Sequence, residues 1–279
     1  MFTLVQADKG PPRRWAERLT GRWRQGFSVT CHQNPRYLVV TFLFPMGGAD
    51  KLSLRQTERG MAFAAEKGSV GVVLPREFPF PELPGQFHMA VSTPVPLLRR
   101  LCGPICFYAA DQMGIPKRDL RVALVGRRFT HEMSGAAQFL AVRARSLQIG
   151  AGRDTAAACH GLRSATGLAA TGLKLKPCDI YAFFDVPEKA LPVPEHALCL
   201  NFSGGAPAVL GGVMADGALL RPPRTLWKDW PDGCDTEALL SALCAQGSVA
   251  ASEIGIRGLC RGAQTLTLGS GGKNVGGNS

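Results

Sequence analysis

Between residues 120 and 205 the chain repeats one pattern: a short apolar run, then a stretch of helical length with small apolar residues along one side. Leu120–Gly126 reads as a strand, His131–Arg145 as a helix with Ala137, Leu140 and Ala144 inward, and Ser146–Ile149 as a short strand. Asp154–Ala170 follows as a second helix lined by Ala158, Leu162 and Ala165, then Asp179–Asp185 and His196–Phe202 as strands. Runs that are apolar without alternation suit strands covered on both faces. Such strands alternating with helices predict a doubly wound, mostly parallel sheet.

The region before it has the same ingredients in a looser order. Tyr37–Phe44 reads as a buried strand ended by Pro45-Met46-Gly47-Gly48, Leu52–Lys67 as a helix stopped by Gly68, and Val70–Leu74 as a second strand. Strand, helix and strand predict a βαβ unit with a right-handed crossover. A Pro-rich connection over 75–85, a short strand within Phe87–Ser92 and one long apolar helix over Val95–Met113 complete this half. After residue 220 the pattern thins, with one further helix over Asp235–Gln246, capped by Asp235 and stopped by Gly247. The expected fold is therefore α/β: an N-terminal α/β lobe over 1–116, a Rossmann-like domain over 117–267, and a tail over 268–279. The tail is low in apolar residues and is expected to be disordered.

Composition narrows the class. Of 279 residues, 46% are hydrophobic and 19% charged, ordinary for a globular protein and against disorder of the whole chain. The net charge of +11, from 32 Lys plus Arg against 21 Asp plus Glu, raises nucleic acid as a partner. The basic residues are scattered, however, and no element carries the packed basic face that binding a phosphate backbone requires. Arg13–Gln25 is the most basic stretch, with Trp15, Leu19 and Trp23 at helical spacing. It reads either as an amphipathic surface helix or as aromatic cover for the core, and the second reading is preferred.

Nine cysteines, an odd number at irregular spacing, argue against a disulfide framework and for a reducing compartment. No secretory signal and no membrane span is read, and the expected location is the cytoplasm. His32, His88, His131, His160 and His196 are too dispersed to define a metal site. Asp179 and Asp185 flank one strand and could form a catalytic pair, or could serve solubility alone. The sequence names no catalytic residue.

Val122-Ala-Leu-Val-Gly126 and, after the second strand, Ile149-Gly-Ala-Gly-Arg153-Asp-Thr155 carry a resemblance. With Asp179-Ile-Tyr-Ala-Phe-Phe184 as the strand entering the site, residues 120–205 resemble the nucleotide-binding half of two-domain dehydrogenases, the shikimate dehydrogenase and glutamyl-tRNA reductase families. The resemblance implies NADP as cofactor, with Arg153 placed where those families meet its 2′-phosphate.

One departure is decisive for the expected function. A dinucleotide fold needs a Gly-rich turn after its first strand, so that backbone can approach the pyrophosphate. Here the turn reads Gly126-Arg127-Arg128-Phe129, and only the first glycine is kept. Either Arg127 and Arg128 contact a smaller anion at the helix N-terminus, or the fold is kept and the site is lost; the second is favoured. The loop Ser203-Gly204-Gly205 after the last strand could likewise admit an anion, or could simply be a flexible turn. Gly126, Arg127, Arg128, Arg153, Ser203, Gly204 and Gly205 are therefore the candidate binding residues, with an anionic small molecule as their partner. The preferred function is a Rossmann-like protein with a degenerate cofactor turn, acting in binding, regulation or structure. The alternatives are an enzyme using a nucleotide or phosphorylated small molecule between the lobes, and a basic nucleic-acid-associated protein.

Overall fold

The computed structural model describes residues 1–8, 27–33, 35–43, 54–75, 78–167, 170–173, 177–231, 234–262 and 264–268. The basic stretch Arg13–Gln25, the Pro45–Gly48 strand end and the tail beyond 268 lie outside the described residues. The chain divides into two compact units, one of residues 1–94 and 222–253, the other of residues 95–221 and 254–279.

The first unit is built on a five-stranded sheet. Its strands are β1 (Phe2–Asp8), β2 (Phe27–Gln33), β3 (Arg36–Leu43), β4 (Gly71–Val73) and β5 (Ala90–Val91), in the order β2-β3-β1-β4-β5. Only β2 runs antiparallel to its neighbour. The strand, helix and strand expected from the sequence are present as β3, α1 (Leu54–Glu66) and β4. Between them in the sheet sits β1, which the apolar pattern did not reveal, because its Thr3 is buried and hydrogen-bonded to Ser69 at 2.6 Å. Val5, Val40, Phe42 and Phe27 pack under Met61 and Ala64 of α1. A side chain at Gly60 would place its Cβ 2.6 Å from the Phe42 ring, so glycine permits this approach. The short helix α2 (Leu83–Gln86) follows, and the chain returns late to supply the helix Thr236–Ala245, which packs on β4. Asp235 caps that helix as expected, accepting the Ala238 N–H at 2.9 Å.

The second unit carries a six-stranded parallel sheet. Its strands are β6 (Arg121–Val125), β7 (Ser146–Gly150), β8 (Ala170–Gly172), β9 (Ile180–Phe183), β11 (Leu198–Asn201) and β13 (Val213–Ala215). Every neighbouring pair is parallel, and the order β8-β7-β6-β9-β11-β13 places the reversal of winding between β6 and β9. This is the Rossmann arrangement. Helix α5 (His131–Ala141) follows β6 and α6 (Thr155–Thr166) follows β7.

The connections after β9 and β11 are extended rather than helical. They pair briefly as β10 (Leu191–Pro192) and β12 (Val209–Leu210), and Leu191, Val193 and Val209 cover Val125, Tyr181, Phe183 and Cys199 of the sheet. Gly211 and Gly212 adopt φ of 97° and 74°, and a Cβ on Gly211 would meet the Val193 carbonyl at 2.5 Å. A small antiparallel sheet of β14 (Gly217–Arg221), β15 (Gly255–Arg261) and β16 (Gln264–Leu266) ends the unit.

The division differs from the 1–116 and 117–267 split expected from the sequence. Residues from Val95 onward belong to the second unit because α3 (Val95–Arg100) and α4 (Cys102–Gln112) pack on α5. The Phe107 and Phe139 rings lie 5.5 Å apart, and a Cβ on Gly103 would fall 2.3 Å from the Phe139 ring. The single helix expected over Val95–Met113 breaks at Leu101, where Gly103 and Pro104 follow. Proline lacks the N–H a continuing helix would use and crowds the carbonyl four residues back.

Candidate functional site

In an open parallel sheet, ligands meet the carboxyl ends of the strands where the winding reverses. At that point β6 passes into the Gly126–Phe129 turn, whose Gly126 N–H donates to the Gly150 carbonyl at 2.8 Å. Two of the three N–H groups that follow, those of Arg127 and Phe129, each meet a carboxylate of the protein. Arg127 N–H donates to Asp185 Oδ2 at 3.0 Å, and Phe129 N–H donates to Asp154 Oδ2 at 3.3 Å. A Cβ on Gly126 would stand 3.2 Å from both Asp185 Oδ2 and the Arg128 carbonyl, so this glycine serves a close contact within the protein.

The turn after β7 closes against the same place. Gly152 has φ of 55°, and a Cβ there would lie 2.8 Å from the Arg127 carbonyl. Ala151 N–H donates to Thr155 Oγ1 at 2.9 Å, which begins α6. Thr130 caps α5 by accepting the Met133 N–H at 3.3 Å. At the start of that helix, the Glu132 carboxyl is held below its ordinary pKa by a backbone hydrogen bond, against the opposing effect of burial.

Arg99 of α3 closes the other side. Its Nε donates to the Phe202 carbonyl at 2.9 Å, its Nη2 donates to the Phe184 carbonyl, and Asp185 Oδ1 stands 3.9 Å from Nη2. One half-buried guanidinium thus satisfies carbonyls at the ends of both β9 and β11. The loop after β11 is satisfied locally. Asn201 Oδ1 accepts Ser203 N–H at 3.0 Å and Ser203 Oγ–H at 2.7 Å, Asn201 Nδ2 donates to the Gly205 carbonyl at 2.7 Å, and Gly205 N–H donates to Ser203 Oγ at 3.1 Å.

All seven candidate binding residues therefore lie along one edge of this sheet. Gly126, Arg127, Arg128 and Arg153 sit on two touching turns, with the three arginines exposed. The Ser203–Gly205 loop is one residue removed: a Cβ on Gly205 would lie 2.8 Å from Val186 Cγ2, and the Val186 carbonyl accepts Arg127 Nε–H at 3.2 Å. The Arg127 and Phe129 amides that a pyrophosphate would use are engaged, and side chains stand where a dinucleotide turn has glycines.

Asp154 and Arg99 were not among the candidates, and Asp185 was weighed only as a partner of Asp179. The usable signal was position, for Asp185 follows a strand at the carboxyl edge and Asp154 precedes a helix there. Asp179 lies at the opposite end of β9. It takes Arg121 Nη2 at 2.6 Å, Nε at 3.2 Å and the Arg121 backbone N–H at 2.9 Å, so it is separated from Asp185 and the two form no catalytic pair. Beside the turns, α5 and α6 leave an open cleft of about 490 Å³, with Phe129, Ser134 and Gln138 on one side and Ala157, Gly161 and Leu162 on the other. Among the described residues, no group of three His, Cys, Asp or Glu is placed to hold a metal ion, and no helix is long and apolar enough to cross a membrane.

No family model and no curated protein matches the sequence. Among solved structures, the chain is similar to the A chain of dipicolinate synthase from Bacillus subtilis, at 16% identity over 68% of each chain and a TM-score of 0.37. Ornithine transcarbamoylase from Giardia lamblia matches at 7% identity over 76% of this chain and 79% of that one, with a TM-score of 0.31. Shikimate dehydrogenase in complex with NADP+ matches at 11% identity over 72% and 76%, with a TM-score of 0.30. The likeness to two-domain dehydrogenases is distant and architectural, and the Rossmann-like assignment rests on the strand order and pairing described above.

Proposed function

We propose that this chain is a Rossmann-like protein with a degenerate cofactor turn, acting in binding, regulation or structure rather than in hydride transfer from a nicotinamide cofactor. The observation that carries the reading is the pair of carboxylates, Asp185 and Asp154, on the Arg127 and Phe129 amides. A dinucleotide would have to displace both and then bring its own negative charge beside them. Cytoplasmic residence is part of the proposal, supported by nine cysteines, none of which forms a disulfide.

The test is calorimetry and thermal shift with NADP and NAD. A ligand at about 100 times its dissociation constant adds ~2.7 kcal/mol of stability. No shift with either dinucleotide is expected, and binding at micromolar affinity or tighter would defeat the reading. A second reading, an enzyme or receptor for a phosphorylated small molecule, is favoured by the exposed Arg127, Arg128 and Arg153. It requires a thermal shift with sugar or organic phosphates that disappears when Arg127 and Arg128 are replaced together.

A further inference from the structure

The closed turn leaves its arginines with nothing to do inside the protein. Arg128 and Arg153 are exposed and meet no acidic side chain among the described residues, while Arg127 spends one N–H on the Val186 carbonyl and is otherwise exposed. They stand on the two turns joined by the Phe129–Asp154 hydrogen bond, and those same two residues line the mouth of the cleft between α5 and α6. The cleft is lined by Ala157, Ala158, Leu162 and Phe129, with Ser134 and Gln138 as polar edge. Asp154 also lines it, and its carboxylate keeps its charge while accepting the Phe129 N–H, one negative group beside the three guanidiniums. Positive charge therefore adjoins a concave apolar surface.

The chemistry of the patch discriminates among anions. A free phosphate is held best by backbone N–H groups and a helix N-terminus acting together with cations, and here the Arg127 and Phe129 amides are taken. Guanidinium groups pair bidentately with carboxylates and phosphates alike, and on exposed side chains they suit carboxylates that arrive on a chain of their own. The adjoining cleft has the size to take an apolar side chain from that chain. A nucleic acid would need a longer basic track with aromatic faces on which bases stack, and this patch offers a single half-buried Phe129.

We propose that Arg127, Arg128, Arg153 and the α5–α6 cleft form a docking surface for an acidic segment of a partner protein. Its Asp or Glu carboxylates pair with the arginines, and a leucine-like side chain enters the cleft. The inference rests on the closed-turn reading above.

The probe is a short fluorescent peptide of alternating Glu and Leu, compared with an all-Glu peptide of equal charge, by anisotropy on the full chain. The Glu–Leu peptide is expected to bind with micromolar affinity and to weaken as ionic strength rises from about 0.01 to about 0.15 M. Arg128→Glu with Arg153→Glu is expected to reduce its affinity about tenfold or more through charge repulsion. Gly161→Leu is a second variant. A Cβ at Gly161 meets nothing within 4 Å, so the substitution fills the cleft without straining the helix. It is expected to weaken the Glu–Leu peptide and leave the all-Glu peptide unchanged. Equal affinity for the two peptides, indifference to the charge reversal, no binding by either, or equal displacement by pyrophosphate or a single-stranded oligonucleotide would each overturn the proposal. Calorimetry with NADP on the same preparation separates the failures. NADP binding defeats the closed turn, whereas absence of both NADP and peptide binding defeats the docking surface alone.

Discussion

Two turns at the same edge of one sheet solve the same problem by opposite means. The Gly126–Phe129 turn sends two of its N–H groups to carboxylates 58 and 25 residues further along the chain. The Asn201–Gly205 turn satisfies itself with the side chains of Asn201 and Ser203. The first is a long-range closure and the second a local one, and only the second has a conformation its own residues specify. Between them lies Arg99, donating to the Phe184 carbonyl just before Asp185, the first turn's partner, and to the Phe202 carbonyl within the second turn.

Substitutions separate the two kinds of closure, beginning with the residue they share. Arg99→Ala leaves the Phe184 and Phe202 carbonyls without their donor and is expected to cost about 2 kcal/mol, since a lost partner of a charged group is worth ~1.5–3 kcal/mol. Urea unfolding gives the magnitude, and a change below a few tenths would show that the two turns stand without it. Asp154→Ala with Asp185→Ala opens only the first turn. Because Asp185 is a third exposed and water can replace it, the expected loss is smaller, about 1 kcal/mol. Amide hydrogen exchange at Arg127 and Phe129 should accelerate while Ser203 and Gly205 remain protected. Asn201→Ala should reverse that pattern at a cost of about 0.5 to 1 kcal/mol, typical of neutral hydrogen bonds at the surface. Equal acceleration at both turns in either variant would mean that they open as one unit.

The opposite ends of these strands give no effect at neutral pH and one that emerges only in alkali. Burial pushes the Cys178 and Cys199 thiols from 9.0 up to about 11, with the neighbouring Asp179 adding to the shift at Cys178. A raised folded-state value means that stability is intact below the unfolded value and is lost as pH rises from about 9 towards 11. Cys178→Ala with Cys199→Ala should flatten that decline in urea midpoints measured across the interval. An unchanged slope would mean that neither thiol contributes to it.

The sequence is legible where a residue's role is decided by its neighbours in the chain. The β6, α5, β7 and α6 pattern is one such case, and the Asp235 cap is another. The candidate residues Gly126 to Arg153 also fall together, because the carboxyl edge of a parallel sheet follows from strand order. Pairing across the chain is not legible. Nothing around Asp185 indicates that it will meet Arg127, and nothing in the apolar run around Arg99 indicates that its guanidinium reaches two strand ends. The unit boundary failed for the same reason: α3 and α4 read as part of the first lobe until the contact of Phe107 with Phe139 assigns them to the second. The strand β1 escaped because a buried threonine interrupts its apolar face.

One face of the six-stranded sheet is clad by extended chain drawn close by Gly211 and Gly212, instead of by helices. A helix keeps its own hydrogen bonds when it lifts from a sheet, whereas an extended strip with two short paired segments has few to keep. The strip can therefore peel a few residues at a time, at a free energy well below that of global unfolding. A single continuous sheet would then keep two clocks, with β7 amides exchanging at the slow rate of the whole unit and those of β9 and β11, whose Tyr181, Phe183 and Cys199 lie under the strip, at the faster rate that it sets.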